Sequence, residues 1–138
     1  MNAYLDSSVL LRAVLGGGPP LAEWGRIERA VASALVEVEC VRILDRVALQ
    51  EGLSDPEIAR SRQAIFRWLE SVEVVPIAEP VLQRASHPQP TSLGTLQAIH
   101  LATALAWREA TGAPLTLATH DPALALAARA CGLGAIGA

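Results

Sequence analysis

The chain has 138 residues, half of them apolar but few aromatic, with a net charge of −3 and no lysine; all eleven cations are arginine. That length suits a single domain over 1–138 that buries roughly two thirds of its unfolded surface in an aliphatic core. The balance lacks the basic excess of a simple phosphate-binding module, although an acidic metal site in a nucleic-acid enzyme would subtract from the same count. There is no apolar run of about 18 residues and no signal-peptide pattern. Cys40 and Cys131 have no metal-ligand spacing, so a cytoplasmic protein with reduced thiols and no membrane association is expected.

Ala3–Leu5 predict a short buried strand with Asp6 at its end, and Ser7 or Ser8 is placed to cap a helix through Val9 to Leu15. An acid at the carboxyl end of a strand, facing a helix N-terminus, occupies the usual place for chemistry in an open α/β sheet; the competing reading is a plain cap or turn residue. Gly16–Pro20 break the helix, and no Gly-Lys-Ser/Thr follows that would cradle a phosphate. Leu21–Ile27 predict a short helix anchored by Trp24, and Arg29–Ala32 a second strand.

Ser33 then reads as the cap of a long helix from Ala34 to about Gln50, closed by Gly52. Two acids on it differ in surroundings. Glu37 heads a largely apolar column through Val41, Leu44 and Ala48. Glu39 shares a side with Arg42 and Arg46, which suits either an exposed ion-paired face or a cleft carboxylate with phosphate-binding arginines beside it. Ser54-Asp55-Pro56-Glu57 is a capping box opening a helix to about Ser71, expected to bury Ile58, Ile65, Phe66 and Leu69.

Val72–Ile77 predict a third strand, Glu79–Ala85 a short helix, and His87–Ser92 a loop. Leu96, Ile99, His100, Thr103, Ala104 and Trp107 mark one side of the next helix, which ends near Gly112. Leu115–Thr119 predict a strand and Asp121-Pro122 the start of a helix to Ala130, repeating the strand, acid, helix order seen at Asp6; Leu133–Ile136 supply a last edge strand. Strands alternating with helices predict a three-layer α/β/α sandwich with a mainly parallel sheet. In such a sheet Asp6 and Asp121 converge on one crevice, where their mutual repulsion is relieved by a bound divalent cation, magnesium or manganese rather than zinc.

Four segments in register resemble the PIN-domain ribonucleases, in particular the VapC-type toxins of bacterial toxin–antitoxin pairs. They are Tyr4-Leu5-Asp6-Ser7-Ser8, Ser33 through Val38-Glu39-Cys40-Val41-Arg42, Thr95 through Ala104, and Thr119-His120-Asp121 before an alanine-rich helix. The resemblance implies a Mg2+- or Mn2+-dependent ribonuclease whose first, second and fourth acids are Asp6, Glu39 and Asp121. Ser7 and Thr119 would orient the acids, and Arg42 would contact phosphate or a carboxylate. It further implies a structured RNA substrate (tRNA or rRNA), a cognate antitoxin and a homodimer. The third acid belongs at position 97, where Gln97 stands. An amide is a weaker ligand for a hard cation than a carboxylate. The departure fits an engineered inactivating change, a natural site with fewer acids, or a degenerate member that binds RNA or antitoxin without cleavage. His100 reads as a packing and hydrogen-bonding residue rather than a ligand.

Overall fold

The structure, a computed structural model, describes residues 1–138. Its elements in chain order are β1 (Asn2–Leu5), α1 (Ser7–Leu15), β2 (Arg29–Ser33), α2 (Leu35–Glu51), α3 (Asp55–Glu70), β3 (Glu73–Val75), α4 (Glu79–Ser86), α5 (Thr95–Thr111), β4 (Thr116–Ala118), α6 (Pro122–Ala130) and β5 (Gly134–Ile136). The five strands form one sheet in the order β3-β2-β1-β4-β5, and every pairing is parallel.

Period-two alternation along the central strands divides the core into two layers. Ala3, Leu5, Ala32 and Ala118 face a cluster completed by Val9, Leu10, Val36, Leu44 and Ile65, from α1, α2 and α3. Tyr4, Val31 and Leu117 face the other way, onto Leu101, Ala104, Trp107, Leu124 and Ala128 of α5 and α6. The result is an α/β/α sandwich. No helix is long and apolar enough to cross a membrane.

The chain leaves β1 toward β2 on one side and later enters β4 on the other, so strand order reverses at β1. The carboxyl ends of β1 and β4 therefore border a crevice between diverging connections, where open α/β sheets bind ligands.

Four local readings are corrected by the structure. Leu21–Ile27 make only a 3-10 turn at Trp24–Arg26. Leu21, Trp24 and Ile27 recur every third residue, the spacing that stacks side chains on a three-residue turn, and Pro20 and Gly25 disfavour an α-helix here. Trp24 instead meets Trp68 edge to face, with centroids 4.6 Å apart. Phe66, expected in the core, is 37% exposed; the Arg62 guanidinium covers its ring at 5.6 Å, while Ile65 is buried and half-buried Trp68 and Leu69 pack against the core. Leu96 is exposed although it lies on the side of α5 expected to be apolar, because the first turn of α5 lines an open cleft rather than packing on the sheet. Ser33 stays in β2, its Oγ accepting from Leu35 N at 3.1 Å, and the helix begins one residue later than expected.

The capping box is present in full: Glu57 N donates to Ser54 Oγ at 3.3 Å and Ser54 N donates to Glu57 Oε2 at 2.8 Å. Replacing Ser54 with alanine removes one acceptor from the first turn of α3 and is expected to cost about 1 kcal/mol. A thermal melt should show this as a fall of roughly 3–4 °C.

Candidate functional site

Asp6 follows β1 and is itself the N-cap of α1, in place of the serine expected there. Its Oδ1 accepts from Ser8 N at 3.0 Å, from Ser8 Oγ at 2.5 Å and from Val9 N at 3.4 Å, and its Oδ2 accepts from Thr119 Oγ1 at 2.6 Å. Cap and cleft residue are thus one side chain, so the two readings of Asp6 do not compete. Asp121 follows β4 in the same way, its Oδ1 accepting from Ala123 N at 2.9 Å and Leu124 N at 3.4 Å to cap α6. Two helix N-termini thereby direct their positive ends at one crevice.

Thr119 joins the two acids. Its hydroxyl donates to Asp6 and accepts from Asp121 N at 2.9 Å. Ser8 makes a second bridge, since the hydroxyl that donates to Asp6 also accepts from His120 N at 2.9 Å. Ser7 lines the crevice without a hydrogen bond to either acid; the serine that orients Asp6 is the next one, whose position in the first turn brings both its N–H and hydroxyl back to the cap. No spacing rule distinguishes two adjacent serines, and Ser8 was missed for that reason.

Glu39 reaches the same cleft from the second turn of α2. Its Oε1 lies 2.5 Å from His100 Nε2 of α5, and its side chain is 14% exposed. Glu37 is exposed and takes no part in the cleft. Arg42 points elsewhere: it is 73% exposed and pairs with Asp45 at 3.5 Å in a separate surface depression that also includes Arg46. Gln97 sits in the first turn of α5, where its Oε1 accepts from Gly94 N at 2.7 Å and its amide nitrogen donates to Asp121 Oδ2.

These side chains line one cleft of about 420 Å³, with Asp6, Ser7, Ser8, Glu39, Gln97, His100 and Asp121 on its walls and no arginine among them. Asp6 is only 5% exposed. Burial raises its carboxyl above the ordinary value, and the bonds from Ser8 and Thr119, with His100 nearby, offset this in part. A carboxylate held in such surroundings is poised to accept positive charge.

Three carboxylates with no basic side chain except His100 suit a hard, oxygen-seeking divalent cation. Glu39 Oε2 has no protein partner, and Asp6 Oδ2 and Asp121 Oδ2 each accept a single hydrogen bond, leaving lone pairs for a ligand. The acids are not drawn into a ready-made three-ligand cage, and the Gln97 amide supplies a donor to Asp121. The residues therefore fit such an ion in donor chemistry, with one protein N–H directed at one of the acids.

A family model for the PIN domain matches residues 3–130. Comparison with curated protein sequences yields no match. Among solved structures, PAE2754 from Pyrobaculum aerophilum aligns with a TM-score of 0.64 at 21% identity, over 98% of this chain and 83% of that one. VapBC2 from Rickettsia felis, solved with a DNA fragment from its promoter, aligns with a TM-score of 0.65 at 13% identity, over 98% and 97% of the two chains. A toxin–antitoxin complex from Klebsiella pneumoniae aligns with a TM-score of 0.53 at 18% identity, over 87% of each. At these identities the likeness is one of fold.

Proposed function

Since the chain belongs to the PIN-domain family, we propose that it is a divalent-metal-dependent endoribonuclease, the toxin of a toxin–antitoxin pair, acting on structured RNA such as tRNA or rRNA. The observation that carries this reading is the convergence of Asp6, Glu39 and Asp121, from three separate elements, on one cleft lined by no arginine. Those three acids would hold Mg2+ or Mn2+. When bound, the ion would supply charge neutralisation at a phosphodiester and lower the pKa of an attacking water.

The chain's own contribution is preorganisation. Thr119 fixes the spacing of Asp6 and Asp121 by accepting from the backbone of one and donating to the other. Ser8 prevents Asp6 from rotating, and the first turns of α1 and α6 hold Oδ1 of each carboxylate. Asp6 and Asp121 would thus meet a ligand through their remaining lone pairs without rearranging the backbone. The fold shared with a toxin–antitoxin complex supports an antitoxin partner, the family resemblance supports a homodimer, and the free Cys40 and Cys131 suit a cytoplasmic setting. Arg42 and Arg46 lie on α2 beyond Glu39, where they could meet the backbone of an RNA strand leaving the cleft.

A second reading is favoured by one observation: the Gln97 amide occupies Asp121 Oδ2 with an N–H. In that reading the protein binds RNA or antitoxin without cutting. Incubating the purified chain with tRNA and rRNA in Mn2+ or Mg2+, beside a Glu39→Ala variant and an EDTA control, separates the two. Metal-dependent cleavage that disappears in the variant supports the nuclease. RNA retention without cleavage in either metal supports the second reading, and neither binding nor cleavage overturns both on these substrates.

A further inference from the structure

A buried line of polar groups runs from the centre of the sheet to the cleft, where it ends on Glu39. Tyr4, in β1, is fully buried, and its Oη lies 2.7 Å from His100 Nδ1. The other ring nitrogen of His100 lies 2.5 Å from Glu39 Oε1. The imidazole is only 3% exposed, and the edge of the Tyr4 ring packs against it with centroids 5.8 Å apart. Strand, helix α5 and helix α2 are thereby linked through three side chains separated in sequence by 96 and 61 residues.

The direction of these bonds follows from the chemistry of the two ends. The Tyr4 phenol is fully buried with its Oη in hydrogen-bond reach of Nδ1, and a phenol brings an O–H to such a contact. It is therefore a donor to Nδ1. An imidazole that accepts at Nδ1 carries its proton at Nε2, the nitrogen that faces Glu39. A carboxylate can only accept, so every bond in the line is satisfied when Tyr4 donates to His100 and His100 donates to Glu39. Glu39 needs such an anchor more than the two aspartates do: it has one more rotatable bond, caps no helix, and is preceded by exposed Glu37 and Val38.

We propose that His100 is a positioning residue for Glu39, held in the required tautomer by Tyr4, and that this line keeps Glu39 Oε1 fixed so that Oε2 faces the cleft ready for a cation. The proposal rests on the reading of Glu39 as a metal ligand, and its test separates the two. Mn2+ affinity of the full chain is measured by calorimetry for the parent, Glu39→Ala, His100→Leu, His100→Gln and the Glu39→Ala/His100→Leu double variant.

Loss of the imidazole donor is expected to weaken Mn2+ roughly 10–100-fold, the range typical of residues that hold a metal ligand in place. His100→Gln, which keeps an N–H at similar reach, should recover most of that loss. His100→Leu should add nothing once Glu39 is alanine, since its effect runs through that carboxylate. Weakening by Glu39→Ala with parental affinity in His100→Leu overturns the proposal and leaves the metal site standing. Additive losses in the double variant also overturn it, because His100 would then act on the fold at large. Parental affinity in Glu39→Ala overturns the site reading and the proposal with it. If His100→Leu does not fold, Tyr4→Phe replaces it in the same comparison: a several-fold loss of Mn2+ affinity that vanishes in the Glu39→Ala background supports the line, and parental affinity overturns it.

Discussion

Replacing Gln97 with aspartate is expected to tighten Mn2+ binding by about tenfold or more, about 1.4 kcal/mol, and to raise metal-dependent RNA cleavage with it. The Gln97 amide now does two things at once: its oxygen accepts from Gly94 N and its nitrogen donates to Asp121 Oδ2. The second bond places a partial positive charge against an acid that would otherwise face the cleft bare. A carboxylate at position 97 reverses that sign. In the absence of metal it adds like charge beside Asp121 and removes a donor, so the metal-free protein should lose on the order of 1 kcal/mol.

With metal present the same charge becomes an asset, because hard divalent cations gain affinity with each added carboxylate. The diagnostic result is therefore a crossing: the variant melts below the parent in EDTA and above it in millimolar Mn2+. Gln97→Glu makes the complementary control, keeping the reach to Gly94 N while exchanging the amide N–H for an acceptor. If both variants match the parent in Mn2+ affinity and cleavage, position 97 does not contribute to the site. The result also sorts the two readings of function, since a gain from near-zero cleavage would mean that the parent is a binder with a silenced centre.

How much of this was legible in the sequence depends on the range of the interactions that decide each position. The sandwich and its parallel sheet follow from alternation of short apolar runs with amphipathic segments, and α3 and α6 begin where Ser54 and Asp121 cap them. Asp6 and Asp121 stand out because strand, acid and helix recur in the same order at the two ends of the chain. Glu39 and position 97 could be placed only through family resemblance. What brings Glu39 toward the cleft is a contact with His100, 61 residues away, and helical spacing on α2 carries no trace of it. Arg42 illustrates the same gap. Three residues from Glu39 it shares the broad side of the helix, yet its guanidinium finds Asp45 and solvent. Phe66 was misplaced because a helix three positions wide on its apolar side holds Ile65, Trp68 and Leu69 first, leaving the phenyl ring for Arg62 to cover.

Replacing Asp6 with asparagine is expected to abolish Mn2+ binding and cleavage while making the metal-free protein more stable at neutral pH. Asparagine is as good an N-cap as aspartate, so the bonds from Ser8 N and Val9 N survive and α1 should still form. What disappears is a charge that burial disfavours. The folded protein holds the Asp6 proton to higher pH than the unfolded chain does, because desolvation raises the carboxyl above its ordinary value of 3.8. Below that value Asp6 is protonated in both states and costs nothing. As pH climbs through the window above it, the unfolded chain ionises first, so this group's contribution to stability falls with rising pH until the folded carboxyl has ionised too. The asparagine variant escapes that loss. Its melting temperature relative to the parent should therefore be least favourable near the ordinary carboxyl value of 3.8 and improve as pH rises above it, as is common when a functional charge is removed from a cleft. Adding Mn2+ should invert the order, stabilising the parent by mass action and leaving the variant unmoved. A variant that is less stable than the parent at every pH in EDTA would mean that Asp6 serves the fold through its hydrogen bonds more than it strains it. A Mn2+-induced shift equal to the parent's would move the cation away from Asp6 altogether. Exchange of stability for affinity at one buried carboxylate is what distinguishes a site built to receive a cation from an acid that only caps a helix.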